Sequence, residues 1–222
     1  MYFPVRSRSL PRRAALAAAL ALSASTAFAA TFDSVEFFRA VNVDNADAIS
    51  RMLAAGLDPN QLDPRGQPAL LVALQGESLK VAKVLWDAKG IQIDIRNHAG
   101  ETPLMMAALK AEIDAANALV AHGAAVQKEG WSPLHYAATG GSAAIIKLLL
   151  SKGAVLEARS PNGSTPLMMA ARYGNEEAVD ALLAAGADRT AKNDLGMDAS
   201  AFAASGGRDK LAARLKPGVA SK

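Results

Sequence analysis

Between Gly163 and Ala187 the chain reads GSTPLMMAARYGNEEAVDALLAAGA, two short apolar runs parted by a polar break. Thr165-Pro166-Leu167 predicts the start of a helix, because a proline in the first helical turn has no intrahelical N–H bond to lose. Ala170 and Ala171 keep that helix thin, and Tyr173-Gly174-Asn175 ends it. From Glu176 the pattern predicts a second helix, which sets Val179, Leu182 and Leu183 on one apolar stripe before Gly186 stops it. Helices this short are marginal alone, so each must bury its stripe against neighbours.

The pattern returns at a fixed period. The first alanine of each short helix falls at Ala40, Ala73, Ala107, Ala137, Ala170 and Ala203, at spacings of 33, 34, 30, 33 and 33 residues. The stop glycines Gly56, Gly90, Gly123, Gly153 and Gly186 keep step, each 16 residues after its alanine except Gly90, at 17. Self-similarity at this period predicts a repeat array rather than a conventional globular core.

The most regular copies are TPLMMAA at Thr102 to Ala108, SPLHYAA at Ser132 to Ala138 and TPLMMAA at Thr165 to Ala171. With their TPLH-like start, helix-turn-helix body and GA-containing end, the units resemble the ankyrin repeat. That resemblance implies an all-α, ankyrin-type α-solenoid of about six stacked helix-turn-helix repeats with short β-hairpin connections. It places the domain at 30–216, with repeats at about 33–65, 66–99, 100–129, 130–162, 163–195 and 196–216. It also implies a generic binding scaffold, whose hairpin tips and first helices line one concave face.

The outer units depart from the pattern as ends of a stack should. In the first, Glu36 stands where other repeats have proline, and Asp33, Glu36, Asp44 and Asp47 keep its outer side polar. In the last, Asp198-Ala199-Ser200 replaces TPL, and Arg208, Lys210, Arg214 and Lys216 make that end positive. Residues 217–222 are expected to form a flexible tail. In the second unit the proline has slipped by one place, so that Ala69 takes its position. Trp86 there falls where Leu150 sits in the fourth unit and is expected in the core.

One connection is short. Gly123 to Gly130 takes 7 steps, whereas Gly153 to Gly163 takes 10. A connection three residues shorter predicts a dip in the row of tips between the third and fourth units, exposing Trp131 beside Arg159, Arg172 and Tyr173.

Charge changes the picture only at the start of the chain. The formal net charge is +3, but Arg6, Arg8, Arg12 and Arg13 lie in the first 29 residues, which hold no acid, leaving 20 basic against 21 acidic side chains. A basic nucleic-acid binder is not indicated. An arginine-bearing start, an apolar run from Ala14 to Leu22 and small residues ending Ala27-Phe28-Ala29 predict a signal peptide at 1–29, cleaved after Ala29. Cleavage after Ala30 would put the bulky Phe28 where a small residue is expected. A membrane anchor would need about 20 apolar residues, more than this run supplies. Arg12-Arg13 loosely resembles a twin-arginine signal, without its flanking consensus. A bacterial periplasmic location is expected, with full secretion the alternative. The chain has no cysteine, so its fold must hold without disulfides.

Candidate chemistry is sparse. There are three histidines and no H-E-x-x-H, G-x-S-x-G, G-x-G-x-x-G or G-x-x-x-x-G-K pattern. No enzyme activity, metal or cofactor is expected. His135, at the histidine of SPLH, is implied by the resemblance to bond neighbouring loops, and Pro103, Pro133 and Pro166 are structural. His122 suits the negative end of a helix. The pairs Met105-Met106 and Met168-Met169 are expected in the core, where a flexible apolar side chain fills space.

The expected function is that of a non-enzymatic scaffold holding a protein partner, with the chain itself a monomer. An immunity or inhibitor protein against a secreted toxin or envelope enzyme is the alternative, and an enzyme with a pocket in the concave groove the more distant one. Because aromatic and arginine side chains dominate binding hot spots, Trp131, Arg172 and Tyr173 are the leading candidates. Lys110, Arg65, His98, Arg159 and Asn162 are the further partner-binding candidates.

Overall fold

The computed structural model describes residues 33–216 and 218. The expected signal peptide at 1–29, its cleavage after Ala29, and the expected tail apart from Gly218 lie outside the described residues. Among the described residues twelve α-helices follow one another. They are α1 (Ser34–Asn42), α2 (Ala46–Ala54), α3 (Ala69–Gln75), α4 (Leu79–Trp86), α5 (Pro103–Leu109), α6 (Ile113–Ala121), α7 (Pro133–Gly140), α8 (Ala143–Ser151), α9 (Pro166–Arg172), α10 (Glu176–Ala184), α11 (Ala199–Ser205) and α12 (Asp209–Leu215). Each odd-numbered helix packs on its even-numbered successor. The odd helices α1, α3, α5, α7, α9 and α11 also pack on one another in order, as do α2, α4, α6, α8 and α10. The result is two parallel rows of helices. No described helix is long and apolar enough to cross a membrane.

Local chemistry sets the helix starts. Thr102 and Thr165 accept the Met105 and Met168 amides at 3.3 Å each, with Pro103 and Pro166 in the first turn. Asn45 and Asn175 do the same for α2 and α10, and Asp198 caps α11 at 2.8 Å. The last unit therefore loses the proline of TPL but keeps a cap, a feature contributing about 1 kcal/mol.

The core lies where the two rows meet. Ala107, Ala108, Ala137, Ala138, Ala170 and Ala171 are fully buried, so the first helices approach closely with no side chain to hold them apart. Trp86 is buried at 7% exposure, and Met105 and Met168 at 1% each. Both methionine sulfurs approach the cap amides, Sδ of Met105 lying 3.4 Å from Thr102 N and Sδ of Met168 3.3 Å from Thr165 N.

The expected β-hairpins shrink to turns. Strand pairing among the described residues is confined to one isolated antiparallel bridge, Leu62 with Pro68. Four connections close as tight turns in which the Asp63, Asn97, Ser160 and Asn193 amides donate to the Gln67, Glu101, Ser164 and Met197 carbonyls, at 2.9 to 3.2 Å. The chain leading into the tips is held sideways instead of across. The Gln92, Ala125, Val155 and Asp188 amides donate to Asn60, Asp94, Gln127 and Glu157, side chains one unit earlier. Amides bonded to the neighbouring unit cannot build a hairpin ladder.

The tips also stack. Gly66 has φ of 73°, and a Cβ there would overlap the His98 imidazole of the next tip. Asp194 lies in the same way against Gly163, while Lys128 and Pro161 come to ordinary van der Waals contact with Gly100 and Gly130.

Candidate functional site

Trp131 sits just before α7, half-buried, with its ring edge-on to His135 at 5.4 Å between centroids. His135 is fully buried and held from both sides. Its Nδ1 accepts from the Ser132 amide at 3.2 Å and lies 2.9 Å from Ser132 Oγ, while Nε2 lies 3.0 Å from the Ser164 carbonyl. A carbonyl can only accept, so Nε2 carries the proton and the ring is neutral. Burial pushes the imidazole pKa below its ordinary 6.5, against the opposing pull of the Ser164 and Ala158 carbonyls. The histidine joins the fourth unit to the fifth and leaves no free ring nitrogen for proton transfer.

Around Trp131, the side chains of Glu101, Leu109, His135, Tyr136, Thr139 and Met169 line a groove of about 320 Å³ that crosses α5, α7 and α9. One wall is fixed by a polar chain. Tyr136 Oη donates to Glu101 Oε1 at 2.8 Å, and Asn97 Nδ2 donates to Glu101 Oε2 at 2.7 Å and to Gln67 Oε1 at 3.2 Å. Burial, and then the Glu101 carboxylate, push the Tyr136 phenol well above its ordinary range, so it stays a neutral donor. A rigid indole, a phenol and two apolar side chains in one cleft can take an apolar anchor and orient it by hydrogen bonds.

A second concavity, of about 790 Å³, opens at the shortened connection. It is lined by Arg96, Gln127, Lys128, Glu129, Gly130, Arg159, Ser160 and Pro161. Trp131 does not line it. The expected grouping of Trp131 with Arg159, Arg172 and Tyr173 is therefore corrected: Arg159 belongs to this hollow, and Trp131 to the groove. The hollow opens where the dip was expected, and across it Lys128 still touches Gly100 and Pro161 touches Gly130.

The remaining candidates stand apart. Tyr173 is 55% exposed at the end of α9, with the Arg172 guanidinium 5.0 Å from its ring centre. Arg172 lies one turn beyond Met169 of the groove. Lys110 pairs with Glu77 at 3.0 Å, and Arg65 with its own neighbour Asp63 at 3.5 Å. His98 is exposed against Gly66, while Asn162 Oδ1 accepts from Ser160 Oγ at 2.6 Å inside its own turn. Arg159 Nη1 donates to the Gly163 and Lys192 carbonyls at 2.8 Å each, tying one tip to the next. His122 lies 3.0 Å from Asp87, whose carboxyl is held below its usual range by Lys83 first and by His122. Among the described residues no group of three or more histidines and carboxylates could hold a metal ion.

Sequence reasoning did not single out Tyr136, Arg96 or Lys128. Tyr136 follows the motif histidine, a place occupied by Met106 and Met169 in the neighbouring units, and that exchange of polarity is the signal that was available.

A family model for ankyrin repeats in three copies matches residues 37–128 and 123–193. Among curated proteins, the chain is 31% identical over 125 residues to the mouse B-cell lymphoma 3 protein homolog, covering 53% of this chain and 28% of that protein. It is 32% identical over 109 residues to mouse ankyrin repeat and SAM domain-containing protein 6, covering 47% and 12%. It is 35% identical over 118 residues to human neurogenic locus notch homolog protein 2, covering 52% and 5%. The chain thus spans between 5% and 28% of the length of these relatives. The period, the paired helices, the TPLH-type starts and the family match agree, and this chain belongs to the ankyrin-repeat family.

Proposed function

We propose that this chain is a non-enzymatic, exported protein of the cell envelope that works as a monomer and holds one protein partner on its row of first helices, at the groove around Trp131. Ankyrin repeats generally mediate protein–protein interaction. The observation that carries the reading is the half-buried Trp131, set on the fixed His135 ring in a cleft with Leu109, Tyr136 and Met169. An aromatic anchor at the centre of a partly desolvated cleft has the character of a binding hot spot. Export is supported by the arginine-bearing start, the apolar run and the Ala27-Phe28-Ala29 ending.

Two measurements test this. Fractionation of cells expressing the tagged chain, followed by determination of its first residue, should find it outside the cytoplasm and starting at Ala30; a cytoplasmic chain that keeps residues 1–29 contradicts export. Crosslinked capture from an envelope extract, then reconstitution of the purified pair, should give a one-to-one complex whose crosslinks map to α5, α7 and α9. Crosslinks confined to α2, α4, α6, α8 and α10 contradict the assigned face.

A further inference from the structure

The hollow at the shortened connection carries Arg96, Lys128 and Arg159, one cation from each of three successive connections, against the single carboxylate of Glu129. None of the three makes an ion pair among the described residues. Lys128 donates to the Glu129 and Trp131 carbonyls at 3.3 Å each, Arg159 to two further carbonyls, and Arg96 bonds to no described group. Carbonyls position these cations without neutralising them. Outside the hollow, the Asp188 carboxyl feels the Arg159 charge, after its hydrogen bonds from Thr190.

The backbone adds donors. In each full-length connection the tip glycine amide donates to a carbonyl three residues earlier, as Gly163 does to Ser160 at 2.8 Å. The side chains of Asp63, Asn97 and Asn193 each accept two further amides there. In the shortened connection Gln127 spends its side-chain oxygen on Val155 of the next unit, and the amides of residues 126–131 donate to no described group. The shortened connection thus lacks the side-chain oxygen that takes up turn amides at Asp63, Asn97 and Asn193, and its residues Gln127 to Gly130 line the hollow beside three cations without an ion pair among the described residues.

We propose that this hollow binds an extended acidic segment of the partner protein, its Asp and Glu carboxylates meeting Arg96, Lys128 and Arg159. Cations spread over three connections suit a chain of carboxylates better than one compact anion. A nucleic acid fits less well, because no aromatic ring lines the hollow to stack a base and the chain beyond residue 29 is slightly acidic. The proposal rests on the protein-binding reading and adds the partner's chemistry. Trp131 joins the two features, with its carbonyl on Lys128 and its ring in the groove.

The test is fluorescence anisotropy of a labelled oligoglutamate peptide with the full chain, at about 0.01 M ionic strength, where screening extends roughly 30 Å, and at about 0.15 M, where it extends ~8 Å. Arg96→Gln, an exposed side chain with no bond to lose, should weaken binding about fivefold, and Arg51→Gln, removing the same charge from α2, by less than about twofold. Inserting Ala-Asn-Pro after Gln127, which restores the full connection length, should abolish the Arg96 dependence. No binding to the unaltered chain at either salt, equal losses in Arg96→Gln and Arg51→Gln, or an oligothymidylate probe that depends on Arg96 as strongly as the peptide does, each overturns the proposal. Failure here with partner crosslinks still on α5, α7 and α9 removes the acidic site and leaves the groove standing.

Discussion

Four of the connections between units take 10 steps from stop glycine to tip glycine, and one takes 7. Three of the long ones hold themselves together three ways, by a sideways bond to the preceding unit, a tip packed against the preceding tip glycine and a polar clasp within the turn; the first, with no connection before it, has the clasp. The short one keeps the first two, through the Ala125 amide on Asp94 and Lys128 against Gly100, and has no clasp. The register between units therefore does not depend on the body of the connection, which can be shortened to open a surface without unstacking the array. Lys128 fills part of the gap, its ammonium taking the place of the turn's backbone bond to the carbonyl at 131.

Graded substitutions sharpen this contrast when read by urea denaturation. The largest loss belongs to neither kind of connection. Trp86→Ala, in the packed core of the second unit, should cost about 3 to 5 kcal/mol and sets the scale. Asn97→Ala, which strips the clasp from a long connection and strands the Ala99 and Glu101 amides as well as Glu101 Oε2, should cost about 2 kcal/mol. Gln127→Ala in the short connection removes one exposed bond and should cost about 0.5 kcal/mol. Equal losses for Asn97→Ala and Gln127→Ala would break the distinction between the two kinds of connection.

A pH-dependent effect separates the fourth unit from its neighbours. His135 occupies the place that Met105 and Met168 hold in the third and fifth units, and all three accept the amide of the cap residue. Burial holds the folded imidazole pKa below its unfolded 6.5, so the unfolded chain binds the extra proton first. The stability of the neutral ring is intact above about 6.5 and is lost as the pH falls below it toward the folded pKa. His135→Met should be less stable near neutral pH by about 1 kcal/mol, having lost the bond to the Ser164 carbonyl. It should also show a flatter decline between neutral and mildly acidic pH. An unchanged decline would mean that His135 is not the group responsible.

Much of this was legible in the chain. A fixed period of alanines and glycines placed six units and twelve helices, and the apolar position of Trp86 placed its ring in the core. Counting found the short connection but not which side chains line the hollow beside it. Residue number tells how far a loop can reach, whereas the contact between Gly100 and Lys128 depends on which residues remain two places before the tip glycine. Trp131 was legible as an aromatic near the surface. That its ring rests on the buried His135 and faces Tyr136 depends on α5, α7 and α9 being brought side by side, which no spacing within one unit reports. The hairpins failed to extend for a similar reason, because their amides bond to side chains a full unit away.

The central claim is that a protein partner is held at the Trp131 groove. Its most direct test is the dissociation constant of the captured partner for Trp131→Ala, measured beside that variant's urea denaturation. Losing one half-buried ring and its edge contact with His135 should lower stability by only about 1 kcal/mol, while removing a hot-spot anchor should weaken the partner at least about tenfold. An unchanged dissociation constant, or a stability loss as large as that of Trp86→Ala, would contradict the account.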